Sequence, residues 1–315
     1  MGDTLGQALR KNWSRITFGC WQLAPREGWG DRCTPLEADA VVQAALDAGI
    51  TAFDTAEGYG DGESERRLAR ALGPRKNDVV IISKIWPDAE LSIASYQGHL
   101  EASLTALGRD YVDAYLIHWP GPYFDSEEKS ARLVEAMTAL KKSGKARLVG
   151  LSNFHQDDLV RLGPNLSEFS VNQVPYNLLE REFEGATRDT CRRAHIGYMA
   201  YSPTAQGLLA GRLDKEAKKS PTRQSNPLYN EPLFPHALKV YQTVEEIADE
   251  AGVAPAAVAV AWALSQDNIF TAVVGSRKAS QVAGFAGAQQ LTLDEDQHAR
   301  LNAASEAFAL IKGGA

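Results

Sequence analysis

Cysteine is scarce in this chain. Cys20, Cys33 and Cys191 are the three in 315 residues, with no C-x-x-C pair and no metal-ligand spacing among them. An odd, dispersed set argues against a disulfide framework and a zinc site, and it fits a reducing, cytoplasmic setting. Long apolar runs are also lacking. The opening MGDTLGQALRKNW holds no stretch suited to a signal peptide, and no later segment approaches the length of a membrane span, so neither export nor a membrane is expected. Myristoylation at Gly2 is set aside because Gly6 stands where that signal wants Ser or Thr. Positive charge is in deficit, 33 Lys and Arg against 40 Asp and Glu, which argues against nucleic acid as the main partner. There is no low-complexity tract and no composition shift of the kind that marks a linker. Residues 1–315 are therefore expected to form a single domain, a length that α/β barrels use in one piece, with two small domains as the alternative.

What is present is a rhythm of short apolar strands and amphipathic helices. Strand-like runs are Ile16 to Trp21, the run ending at Asp54 within Thr51 to Tyr59, Val79 to Lys84, Val112 to His118, Ala146 to Asn153, Phe169 to Val174, Ile196 to Pro203 and Ile269 to Ser276. Helical patterns lie between them. One opens on Thr34 as N-cap, with Pro35 at the first helical position, Glu37 closing a capping box and Gly49 ending it. Others are read near Ser92 to Leu107, Ser130 to Lys142, Glu182 to Ala194, His236 to Glu250 and Ala254 to Ser265, and the last helix is read as capped by Thr292 and Glu295. The rhythm breaks at Gly211 to Pro235, a proline-bearing polar stretch read as a long loop. Eight strands, each followed by helix, predict an α/β fold of the (β/α)₈ TIM-barrel type, with a doubly wound open sheet as the runner-up. Such a barrel carries its active site at the C-terminal strand ends.

Those ends read Trp21, Asp54, Lys84, His118, Ser152 with Asn153, Gln173, Tyr201 with Ser202, and Gly275 with Ser276. Singly, a strand-end Asp caps a loop, a Lys is solvated and a His makes a structural hydrogen bond. Together with Tyr59 on the loop after Asp54, they make an acid, a cation, an imidazole and a phenol at one mouth. That set suits proton delivery to a carbonyl oxygen. A free tyrosine is a weak acid near neutrality, and an adjacent ammonium, here Lys84, stabilises its phenolate. Asp54 would hold Lys84, and His118 would donate to the substrate oxygen.

The segments FDTAEGYGDGESERRLARAL, VIISK, YLIHWP, KARLVGLSNF, NQVPYN and YSPTAQGLL, in this order and spacing, resemble the aldo-keto reductases, and the resemblance runs from FGCWQL to VVGSR. It implies that Asp54, Tyr59, Lys84 and His118 are a catalytic tetrad with Tyr59 as general acid. It also implies NAD(P)H binding without a Rossmann domain. Carried over residue by residue, Ser152, Asn153 and Gln173 hold the nicotinamide carboxamide and Tyr201 stacks on its ring. Ser202, Gln206, Gly207 and Leu208 border the pyrophosphate, and Gly275, Ser276, Arg277 and Gln281 the adenosine end. Arg277, with Lys278 beside it, suits a 2′-phosphate, so NADPH is favoured with NADH as second choice.

Two departures stand out: Val274 and Gly275 replace a Pro-Lys pair common in the family, and Gly284 and Phe285 replace a Glu and an Asn that meet the adenine. The substrate pocket is expected between Trp21, Trp29, Trp86, Trp119, Tyr123 and Phe124, with Cys20 and Cys33 near its rim. Aromatic walls suit apolar carbonyl compounds and the apolar faces of sugars and keto-sugars alike. The expected function is reduction of a small aldehyde or ketone, with the 211–235 loop folding over the cofactor. Two further readings are a nucleotide-binding subunit without turnover, like the potassium-channel β subunits, and a barrel hydrolase using Asp54 and Glu57 without any nicotinamide.

Overall fold

The computed structural model describes residues 13–25, 33–121, 126–213 and 220–314. Among the described residues, eight parallel strands close into a barrel in chain order, each hydrogen-bonded to the next and β8 to β1. They are β1 (Ile16–Gly19), β2 (Ala52–Asp54), β3 (Val80–Ile85), β4 (Val112–Ile117), β5 (Ala146–Ser152), β6 (Val171–Pro175), β7 (Gly197–Tyr201) and β8 (Ile269–Gly275). The open-sheet alternative is thereby excluded. Most strands are shorter than their apolar runs, β1 ending before Cys20 and Trp21 and β7 before Ser202 and Pro203, whereas β3 runs one residue past Lys84.

Side-chain alternation divides the apolar residues into two cores. Ala52, Val80, Ile82, Ala114, Leu116, Leu148, Val171, Met199 and Val273 fill the barrel interior. Trp13 closes its floor, donating through Nε1 to Thr17 Oγ1 at 2.9 Å and packing edge-on to Phe270. The alternate residues, among them Phe18, Phe53, Ile81, Tyr115 and Val149, face outward into the larger core under the helices. This period of two positions the site. Two residues on from the interior layer come Asp54 after Ala52, Lys84 after Ile82, His118 after Leu116, Gln173 after Val171 and Tyr201 after Met199.

The helices follow their caps. In α1 (Pro35–Asp47) the expected box forms, with Glu37 N donating to Thr34 Oγ1 and Thr34 N to Glu37 Oε2. Next come α2 (Glu63–Leu72), α3 (Ile93–Leu107, capped by Ser92) and α4 (Glu127–Lys142). The last starts three residues earlier than its apolar pattern because the Ser126 hydroxyl accepts from Lys129 N. They are followed by α5 (Gln156–Leu162) and α6 (Ala186–Arg193). Part of the 211–235 stretch is ordered into α7 (Pro221–Gln224) and a 3₁₀ turn at Pro227–Tyr229. Ser220 and Asn226 cap them and a proline opens each, signals that hydrophobic periodicity does not register. Then come α8 (Phe234–Ala251), α9 (Pro255–Ser265), α10 (Val282–Ala286) and α11 (Glu295–Gly314). The cap of α11 is not Thr292 with Glu295. Asp294 Oδ1 accepts from Gln297 N at 2.8 Å while Asp294 N donates back to Gln297 Oε1, so the box lies two residues further on.

Candidate active site

The stretch after β2 turns tightly to bring Tyr59 back over the barrel mouth. Cys20 N donates to Asp54 O and Thr55 N to Ile82 O, so the ladders on both sides of β2 run past its end. The chain then folds on itself, with Tyr59 N donating to Ala56 O and Gly62 N to Glu57 O. Gly60, Asp61 and Gly62 take φ of 61°, 52° and 78° in succession, and two glycines make that left-handed run affordable before α2 begins.

Lys84 is fully buried, with 0% of its surface exposed. Each of its three ammonium protons has an acceptor: Asp54 Oδ2 at 2.7 Å, Thr55 O at 2.7 Å and the Tyr59 hydroxyl oxygen at 3.4 Å. Burial draws the Lys84 pKa down, and the charge of Asp54 opposes that pull. The Tyr59 oxygen thus accepts from a cation, and its own proton is not used in that bond. Asp54 is held from its other side by Gln173, whose Nε2 donates to Oδ1 at 2.8 Å.

His118 completes the group, its ring edge-on to Tyr59 with centroids 5.4 Å apart. Burial first, then the charge of Lys84, lowers its pKa to about 2, so it is a neutral imidazole across the physiological range. Its Nδ1 is buried, with no hydrogen-bond partner among the described residues. A neutral ring carries one N–H, and with that proton on Nε2 the ring donates to a ligand without adding positive charge.

Beside the tetrad the remaining polar residues form a connected network. Ser152 Oγ donates to Gln173 O, Asn153 Nδ2 to His118 O, and Tyr201 OH to Asn153 Oδ1 at 2.8 Å. Burial raises the Tyr201 pKa. Gln173 and Asn153, expected to hold a carboxamide, therefore also fix Asp54 and the end of β4, which sequence reading missed.

Next to β7 the chain again becomes left-handed: Ser202, Ala205, Gln206 and Gly207 have φ of 52°, 48°, 55° and 99°. From the ordered part of the long loop, Arg223 Nε donates to Gln206 O at 2.9 Å and Asn226 Nδ2 to Gln206 Oε1 at 3.1 Å. A Cβ on Gly207 would meet Arg212 Cγ at 2.9 Å and an Arg223 terminal nitrogen at 3.1 Å, so a glycine here lets two arginines close on the turn. Burial, then the like charges of Arg212 and Arg277, pull the Arg223 pKa down. Two guanidinium groups against one turn, with a third charge felt from Arg277, are a donor set of the kind that suits phosphate. Arg212 and Arg223 fall in or beside the aperiodic stretch, and no sequence signal singled them out. Leu208 is fully buried in the core, backbone included.

At the end of β8, Ser276 Oγ lies 2.9 Å from Lys278 O and 2.8 Å from Gln281 Oε1, so Ser276 and Gln281 brace the turn that carries Arg277. The departure at Val274 and Gly275 has a steric cause: a Cβ on Gly275 would come within 2.0 Å of Gln22 Oε1 and 2.7 Å of Gly19 O. At the other departure, Phe285 is buried in the core.

Of the expected aromatic wall, Trp21 lies 6.3 Å from Tyr59 between ring centroids and Trp86 packs edge-on to His118 at 5.0 Å. Trp119 is exposed next to His118. Trp29, Tyr123 and Phe124 lie outside the described residues. Cys20 and Cys33 are buried, and burial raises both thiols, as suits packing groups. The hydrolase reading finds no support. Both Asp54 oxygens are engaged by Lys84 and Gln173, and both Glu57 oxygens by Trp86 N and His99.

A model of the Aldo/keto reductase family matches residues 15–306. An aldo-keto reductase of Bacillus subtilis is 31% identical over 305 residues, 92% of this chain and 89% of its own. A probable voltage-gated potassium channel subunit beta of Arabidopsis thaliana is 30% identical over 292 residues, 85% of each chain. Among solved structures, an aldo/keto reductase from Klebsiella pneumoniae in complex with NADP and acetate aligns with a TM-score of 0.73 at 26% identity, over 92% of this chain and 91% of that one.

Proposed function

The chain belongs to the aldo/keto reductase family, and we propose that it reduces an aldehyde or ketone to the alcohol, reversibly, with NADPH preferred and NADH as second choice. The observation that carries this reading is the Tyr59 oxygen, which accepts from a buried ammonium while a neutral imidazole stands beside it. A reduced nicotinamide supplies hydride when bound. Tyr59 gives the carbonyl oxygen its proton. Lys84 stabilises the phenolate left behind, Asp54 and Gln173 keep Lys84 in place, and His118 donates to the same oxygen and orients it.

The residues fit the cofactor. The polar set Ser152, Asn153 and Gln173 beside Tyr201 suits a carboxamide ring. Gln206 and Gly207, together with Arg212 and Arg223, suit a pyrophosphate, and Arg277 on its braced turn suits a 2′-phosphate. Similarity of a Klebsiella structure holding NADP supports the same choice.

The test is steady-state oxidation of NADPH and of NADH with a panel of aldehydes, ketones and sugars. Turnover with NADPH ahead of NADH is expected. The similarity to a plant channel β subunit favours a second reading, a nucleotide-binding subunit without turnover. Tight NADPH binding with no turnover across the panel would establish that reading instead.

A further inference from the structure

We infer that Glu57 is a positioning residue that sets the spacing between the proton donor Tyr59 and the pocket wall Trp86. The inference rests on the carbonyl-reductase reading above and adds a residue to it.

Glu57 lies between Asp54 and Tyr59 on the turn, and its backbone is fixed on both sides. Its N donates to Lys84 O at 3.3 Å and its O accepts from Gly62 N at 2.8 Å. Its carboxylate reaches out of the turn. Oε1 accepts from Trp86 N at 2.8 Å, and Oε2 pairs with His99 Nδ1 on α3 at 2.9 Å. The carboxylate is held at both oxygens and its side chain is only 16% exposed, so it is a fixed strut. Trp86 needs one. Its residue is 40% exposed, so burial alone does not immobilise it, yet its ring packs edge-on to His118. Gly58 lies under the same indole, where a Cβ would come within 3.2 Å of Trp86 Cε3. One turn thus carries the proton donor, the platform beneath the wall and the strut that holds the wall's backbone. Loss of the strut should move the wall relative to the donor, and misplacements of about 1 Å at a reacting centre cost up to about a hundredfold in rate.

The test uses the full-length protein with Glu57→Ala, Glu57→Gln, Trp86→Ala and the double variant Glu57→Ala/Trp86→Ala. With a carbonyl compound that the wild type reduces, Glu57→Ala is expected to raise KM about tenfold and lower kcat about tenfold, with NADPH affinity kept within about twofold. Glu57→Gln keeps an oxygen for Trp86 N and is expected to recover both to within about threefold. In the Trp86→Ala background both the KM and the kcat effects of Glu57→Ala should shrink to within about twofold, because the two residues act through one wall.

A readout independent of turnover is the 19F resonance of Trp86 in 5-fluorotryptophan-labelled protein, assigned by Trp86→Phe. It is expected to shift in Glu57→Ala and to hold in Glu57→Gln. A wild type without turnover overturns the carbonyl-reductase reading and leaves the resonance to decide the role of Glu57. An unmoved resonance in Glu57→Ala, or kcat and KM both within twofold of wild type, overturns the inference. If Glu57→Ala does not fold, Glu57→Asp, one methylene too short to span both partners, carries the same expectations.

Discussion

Gln173 on β6 donates to Asp54 on β2 across the barrel mouth at 2.8 Å, joining residues 119 positions apart in the chain. Asp54 is thus held between an amide and the Lys84 ammonium, and the tetrad is braced from the opposite wall. Gln173→Leu is expected to lower kcat about tenfold or more by loosening Asp54, and with it Lys84, while the fold survives. Steady-state kinetics alongside thermal unfolding checks this.

The Asp54 and Lys84 pair is buried on both sides, so removing one partner strands a charge. Asp54→Leu is expected to cost about 3 to 5 kcal/mol of stability. The double variant Asp54→Leu/Lys84→Met should recover most of that loss. Urea unfolding of both variants at neutral pH measures the difference.

Acid stability should report on His118. Its folded pKa of about 2 lies below the ordinary value of 6.5, so the unfolded chain binds the proton first. The contribution is complete above about pH 6.5 and is lost as pH falls below it, by about 1.4 kcal/mol per pH unit. Between pH 6.5 and 4 the variant His118→Gln is expected to lose less stability than wild type. Equal losses in urea titrations over that range would contradict the burial of a neutral ring.

The arginines around the Gln206 turn should divide the two cofactors. Arg223→Ala is expected to weaken NADPH and NADH alike, by about tenfold, because pyrophosphate is common to both. Arg277→Ala should weaken NADPH more than NADH. Equilibrium titration of nicotinamide fluorescence, with a thermal melt to confirm folding, separates the two.

Much of this site was legible in the sequence because of one periodicity. A strand residue two places beyond an interior apolar residue faces the same mouth, which is how Asp54, Lys84, His118, Gln173 and Tyr201 come together. What was not legible has two causes. Bonds such as Gln173 to Asp54, or Tyr201 to Asn153, depend on barrel closure and leave no local spacing. Arg223 sits in a stretch whose order comes from Ser220, Asn226 and their following prolines, local caps that apolar periodicity cannot register. The α11 cap was misplaced because Asp294 offers the same chemistry as Thr292, and only the start of the helix chooses between them.

In the proposed reaction Tyr59 is the proton donor, set by Lys84. The most direct test of that role is single-turnover NADPH oxidation by Tyr59→Phe at saturating carbonyl substrate, with NADPH affinity measured on the same preparation. The expected result is a fall of about a hundredfold or more in the rate with cofactor affinity unchanged. A Tyr59→Phe enzyme that oxidises NADPH within a few-fold of the wild-type rate would contradict it.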